Sequence, residues 1–167
     1  MIFADILAAI RDDGPKVTGL AALGLVVMVV LVIGANARAA AVLAAVAVGA
    51  LGLVTACAAL GLRVNFLDFV ALPITLGLGV DYAINIAERQ AETGDLDATL
   101  ASAGGAVFVC SLTTIIGYGS LLVSDNLAIR GFGLASLIGE IAALAAALVL
   151  VPAIVIWAGR RAAVARG

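Results

Sequence analysis

Five apolar runs dominate this chain, each close to the roughly 20 residues a helix needs to cross a hydrocarbon core. They are Val17 to Gly34, Arg38 to Leu62, Phe66 to Ala87, Gly104 to Val123 and Ile129 to Trp157. With 65% apolar and 12% charged residues, a water-soluble fold has no way to hide this much hydrocarbon. The fold class that follows is all-α: a polytopic membrane protein built as a five-helix transmembrane bundle occupying residues 17–158.

The connections Ala35 to Ala37, Arg63 to Asn65 and Ser124 to Ala128 are short, so helices adjacent in sequence run antiparallel. Glu88 to Ala103 is longer and more polar, enough for a short helix at the membrane surface. Residues 1–16 mix Ile2, Phe3, Ile6, Leu7 and Ile10 with Asp5, Arg11, Asp12 and Asp13. That mixture predicts an amphipathic surface helix ended by Gly14-Pro15; a signal peptide is disfavoured because a positive n-region is missing. Residues 159–167 form a basic tail. The pair Arg160-Arg161 and Arg166 tip a nearly even charge count, predicting a cytoplasmic C-terminus, an outside N-terminus and Trp157 as interfacial anchor.

The same composition excludes several classes of function. A net charge of -2 offers no basic surface for nucleic acid. There is no His, and Cys57 and Cys110 lie singly inside apolar runs, so neither a metal site nor a cofactor is expected. An intramembrane enzyme would want His or paired carboxylates one turn apart at mid-membrane, and neither is present.

An ionisable side chain at mid-span costs about 2.5 to 3.5 kcal/mol even on a lenient insertion scale. Two carboxyls carry that cost, Asp81 in the third run and Glu140 in the fifth. Gly77, Asp81, Asn85 and Glu88 recur at helical spacing, a small and polar stripe expected to face the bundle interior, with Gly77 allowing close helix approach. Burial away from water disfavours the charged form of a carboxyl, so a mid-membrane acid can bind a proton. Pro73, Gly77 and Gly79 weaken the helix before Asp81, allowing it to bend or admit water. Tyr82 points to a different face and is a candidate for a hydrogen bond across helices rather than to Asp81. In the next run Ser111, Thr113 and Thr114 place hydroxyls at mid-span, with Gly117 on the face of Thr113. Hydroxyls can relay a proton, although in membrane helices they also bond to their own backbone. Glu140 is a possible second polar site, with helix glue or contact to a partner helix as the alternative. Asp68 reads as a favourable charge at a helix start.

The strings Gly77-Leu78-Gly79-Val80-Asp81-Tyr82-Ala83-Ile84 and Ser111-Leu112-Thr113-Thr114-Ile115-Ile116-Gly117-Tyr118, in this order, resemble the resistance-nodulation-division superfamily of transporters. The closer likeness is to its lipid-exporting branch, the mycobacterial-membrane-protein-large and hopanoid exporters, related to sterol-sensing domains. Asp12-Asp13-Gly14-Pro15, the segment from Ser124 to Gly133, and Val151-Pro152-Ala153 extend the resemblance over the whole chain. The resemblance implies one half of a transporter bundle, like helices 8–12, in the bacterial inner membrane. It implies a proton relay at Asp81 and Tyr82, with Thr113 and Thr114 as following polar positions; Glu140 matches no relay position. It further implies that a first helix, an extracytoplasmic porter domain and a second bundle are missing, so that the chain is incomplete on its own.

Two functions follow as expectations. The first is the membrane domain of a proton-motive-force-driven exporter of lipids or other hydrophobic molecules. Its partners would be membrane lipid, protons, and the other transporter half or a homo-oligomer. The alternative is a non-transporting module that senses lipid or binds a partner membrane protein.

Overall fold

The computed structural model describes residues 2–62 and 68–164, and all five long helices expected from the sequence are present. They are α1 (Ile2–Ile33), α2 (Ala37–Ala59), α3 (Asp68–Thr93), α4 (Leu96–Val123) and α5 (Leu127–Val164). Each contains a stretch long and apolar enough to cross a membrane. Side by side they alternate up and down, so α3 and α5 run parallel to each other with α2 and α4 antiparallel to both.

Short polar caps make the turns. Asn36 serves two helices: its side-chain oxygen accepts from the Arg38 and Ala39 amides at 2.9 and 3.1 Å, and its Nδ2 donates to the Ile33 carbonyl at 2.8 Å. Gly94, at φ +64°, ends α3 where an L side chain is strained, and Asp95 opens α4 by accepting from the Asp97 amide at 3.2 Å. Asn126 caps α5 through the Ala128 amide at 2.9 Å.

Three boundaries differ from the sequence reading. Gly14-Pro15 does not end a helix: α1 continues through Pro15, and there is no break between residues 1–16 and the first span. One missing amide does not stop a membrane helix whose other turns remain bonded. The expected long connection Glu88 to Ala103 shrinks to Gly94 and Asp95, because its polar residues extend α3 and α4 beyond the apolar runs instead of leaving the helical path. Residues 159–164 of the basic tail likewise continue α5, whose 38 residues reach roughly 57 Å at 1.5 Å per residue, longer than the hydrocarbon is thick. Residues 165–167 and the connection at 63–67 lie outside the described residues, as does the side chain of Asp68.

α2, α3 and α5 form the centre of the bundle. Gly49 and Gly52 of α2 meet α5 so closely that added Cβ atoms would stand 3.1 Å from Ala143 Cα and Ala142 Cβ. Small residues bring the backbones together, which is how helices gain dispersion energy where lipid offers no hydrophobic drive. On the other flank Val80, Ala83, Ile86 and Ala87 of α3 are buried against the same core. α1 is much less enclosed, with 11% of its spanning window buried against 50% for α3. At one side of the bundle Arg38 pairs with Glu88 at 3.5 Å, and Arg89 donates to Glu92 at 3.0 Å and to Ser102 at 3.0 Å. Arg161 stacks 4.0 Å from the Trp157 ring on the same side.

Candidate functional site

The site grows from the contact between α3 and α5. Gly139 lets α5 press against Thr75 of α3: a Cβ there would collide with the Thr75 hydroxyl and stand 3.2 Å from its methyl and 3.3 Å from Leu53 Cδ2. Two helical turns along α3 from Thr75, the same face presents Tyr82. Its hydroxyl donates to Glu140 Oε1 at 2.6 Å. From α4, Ser111 Oγ donates to the same oxygen at 2.5 Å. Glu140, Ser111 and Tyr82 are 1%, 0% and 5% exposed, and each lies near the middle of its span.

This arrangement has an uneven pattern of bonding. Glu140 Oε1 receives two hydroxyl donors, while Oε2 is buried without a partner. Ser136 Oγ, one turn earlier on α5, is also buried without a partner. Among the described residues no Lys or Arg forms an ion pair with Glu140; the ion pairs lie near the ends of the apolar spans. A carboxyl enclosed without a counter-charge depends on its hydroxyl neighbours.

Asp81 occupies the opposite face. One residue on a helix turns about 100°, so the side chain next to Tyr82 leaves the core. Asp81, Asn85 and Gly77 are exposed, and a Cβ on Gly77 meets nothing within 4 Å. The inward orientation expected for this stripe is therefore corrected: α3 turns its Ala71, Thr75, Gly79, Ala83 and Ile86 face to α2 and α5, and the polar stripe looks away from this bundle. In a membrane, inside one bundle and against another bundle impose the same demand for small or polar residues, so polarity does not distinguish them.

Between α3 and α4 the exposed face holds a groove of about 440 Å³, lined by Leu78, Asp81, Tyr82, Asn85, Val107 and Thr114 among others. Tyr82 thus forms part of the groove wall while its hydroxyl reaches the buried Glu140. Asn85 Nδ2 donates to the Asp81 backbone carbonyl at 2.8 Å. Thr113 and Thr114 both donate back to the Cys110 carbonyl, at 2.7 and 3.1 Å. Thr114 also stands near enough to the Tyr82 hydroxyl to interact with it. Of the glycines singled out for packing, Gly79 does meet α5, 3.5 Å from Ala143 Cβ, whereas a Cβ on Gly117 meets nothing within 4 Å.

The structure therefore brings together Tyr82, Glu140 and Ser111, with Asp81 and Thr114 on the groove side, and leaves Thr113 and Gly117 apart. The sequence marks Glu140 only as a possible second polar site and Ser111 only as one of three mid-span hydroxyls, and nothing in it singles out Ser136. One signal was available: a mid-span carboxyl with no cation must find hydroxyl donors, and Tyr82 and Ser111 are at matching depth.

Comparison with known proteins places these features in context. The model of the MMPL family matches residues 1–167. The chain is also similar to the hopanoid transporter HpnN of Burkholderia multivorans, with 34% identity over 101 residues, covering 59% of this chain and 10% of that protein. The match thus spans about a tenth of the relative's length. No solved structure matches the chain.

Proposed function

Because the chain belongs to the MMPL family, we propose that it is the membrane domain of a proton-driven exporter of lipids or other hydrophobic molecules. The observation that carries the proton reading is Asp81: a carboxyl exposed on a membrane-crossing helix, beside Tyr82, at a groove of about 440 Å³. A carboxyl at this depth is costly unless it pairs, protonates or meets water, and a group that alternates among those states couples a proton gradient to helix movement. The relative's name, a hopanoid transporter, supports a lipid or similarly apolar cargo.

The Asp81 stripe calls for a cover. Its small and polar residues suit a second helical bundle, either the other half of a transporter or another copy of this chain, with Gly77 as the point of close approach. A porter domain outside the membrane would handle the cargo. The bacterial inner membrane is the setting that this reading requires, with the α5 end and its arginines in the cytoplasm. Thr114 shares the groove with Asp81, and Tyr82 joins that groove to the core through its hydroxyl; Thr113, outside the groove, supports α4.

The test is export of a fluorescent lipid analogue from proteoliposomes that contain the assembled transporter, driven by an imposed pH gradient. Asp81→Asn should lower gradient-driven export at least tenfold while leaving the protein folded. Full export in that variant refutes the reading. A lipid-sensing or partner-binding module is favoured by the same outward stripe, and it predicts instead that binding persists in Asp81→Asn and is lost in Gly77→Leu.

A further inference from the structure

Glu140 is the most enclosed acid in the described bundle, and the relay built on Asp81 does not use it. Its surroundings are specific. From α3 and α4 the phenol of Tyr82 and the hydroxyl of Ser111 converge on Oε1. The ring of Tyr118 on α4 is close enough to sense its charge, and α2 contributes the aliphatic Leu53 beside the neighbouring Gly139. On its own helix Ser136 lies one turn away. The titratable groups facing Glu140 are thus two phenols.

The bonding pattern fits a carboxyl that gains and loses a proton. As a carboxylate, Glu140 wants donors on both oxygens, and the hydroxyls of Tyr82 and Ser111 both bond to Oε1. As a neutral acid its proton belongs on Oε2, the buried atom without a partner, and the acceptor within one helical turn is Ser136 Oγ, itself buried and without a partner. Ser136 Oγ can accept from the protonated acid or donate to the carboxylate, so a small side-chain rotation completes the two orphaned atoms on this face of α5 in either state of Glu140. Thr114 and Tyr82 together link this acid to the groove, because Thr114 lines the groove that Asp81 shares, its hydroxyl stands near that of Tyr82, and the Tyr82 hydroxyl ends on Glu140.

We propose that Glu140 is a second proton-binding carboxyl of this membrane domain, loaded from the Asp81 groove through the Tyr82 hydroxyl. The inference rests on the proton-coupled reading and extends it from one acid to two. In the loading step the Tyr82 O–H bond breaks as its proton passes to Glu140 Oε1, the Tyr82 oxygen takes a replacement proton from the Thr114 hydroxyl, and Thr114 is reprotonated from the groove by Asp81. One proton moves inward, Tyr82 ends as it began and no electrons are exchanged. Rotation of the carboxyl then presents the proton to Ser136.

The experiment is infrared difference spectroscopy of the chain in phospholipid nanodiscs, in H₂O and D₂O, across a pH jump. Two pH-dependent carboxylic-acid bands are expected. Glu140→Gln, which keeps an oxygen acceptor for Tyr82 and Ser111 and so preserves the fold, should remove one band and leave the other at full amplitude. Asp81→Asn should remove the other. Tyr82→Phe and Ser111→Ala should each shift the frequency of the Glu140 band, because each deletes one of its donors. A single band removed by Asp81→Asn and untouched by Glu140→Gln overturns the second site and leaves the proton-coupled reading standing. Bands untouched by either change overturn both. A Glu140 band that ignores Tyr82→Phe overturns the route through Tyr82.

Discussion

Gly139→Ala tests whether the contact that holds Glu140 in place is set by a single missing methyl group. A Cβ at Gly139 would collide with the Thr75 hydroxyl, and turning Thr75 about χ1 exchanges that hydroxyl for a methyl already only 3.2 Å away. Thr75 is 3% exposed, so it has nowhere to retreat. Overpacking of this kind costs about 1 to 3 kcal/mol. An alanine also gains helix propensity over glycine, up to about 1 kcal/mol, which masks part of the clash. Gly77→Ala supplies the control, since a Cβ there meets nothing within 4 Å in this bundle and shows the propensity gain alone. The difference in unfolding free energy between the two variants should therefore be about 1 to 3 kcal/mol, with Gly139→Ala the less stable. Thr75→Ala removes both atoms in the way, so the double variant should recover most of that difference, a coupling well above the roughly 0.3 to 0.5 kcal/mol expected between independent sites. Reversible unfolding in mixed micelles measures the unaltered chain and the four variants. Equal stability of Gly139→Ala and Gly77→Ala, or additive behaviour with Thr75→Ala, would refute the close contact between α3 and α5.

Gly94→Ala should destabilise by about 1 kcal/mol or more, because φ there is +64° and an L residue pays for the left-handed conformation; the same micelle unfolding reads it. Arg38→Ala should change stability by no more than about 1 kcal/mol, since its 3.5 Å pair with Glu88 has side chains 37% and 46% exposed; a larger loss would mean that this pair anchors α2 to α3. Gly77→Leu should leave the chain's own stability nearly unchanged yet weaken its association with a second bundle, measured by energy transfer between labelled chains in nanodiscs. Undiminished association would show that the Asp81 stripe is not the docking face.

The helices were legible in the sequence because length and hydropathy alone decide whether a segment spans a membrane, and all five runs recur as helices. Their ends were less legible. Glu88 to Thr93 and Leu96 to Ala103 look like a loop by polarity, but polar residues remain helical once they leave the hydrocarbon, and only Gly94 and Asp95 carry the turn. Inside and outside were not legible either, because lipid, a neighbouring helix and a neighbouring bundle all accept apolar residues. Asp81 and Tyr82 show what that hides. A step of about 100° per residue makes sequence neighbours face different environments, so one sends a carboxyl into the outward groove and the other a hydroxyl to the core. No periodicity within α3 identifies Glu140 as the end of that hydroxyl, since the partner lies 58 residues away. What identifies it is packing: Gly139 admits Thr75, α5 closes on α3, and Glu140 comes level with Tyr82. The adjacent pair Asp81-Tyr82 is therefore more than two polar residues at mid-span. One peptide bond joins the carboxyl on the outward face to the residue whose hydroxyl holds the acid that the bundle has sealed.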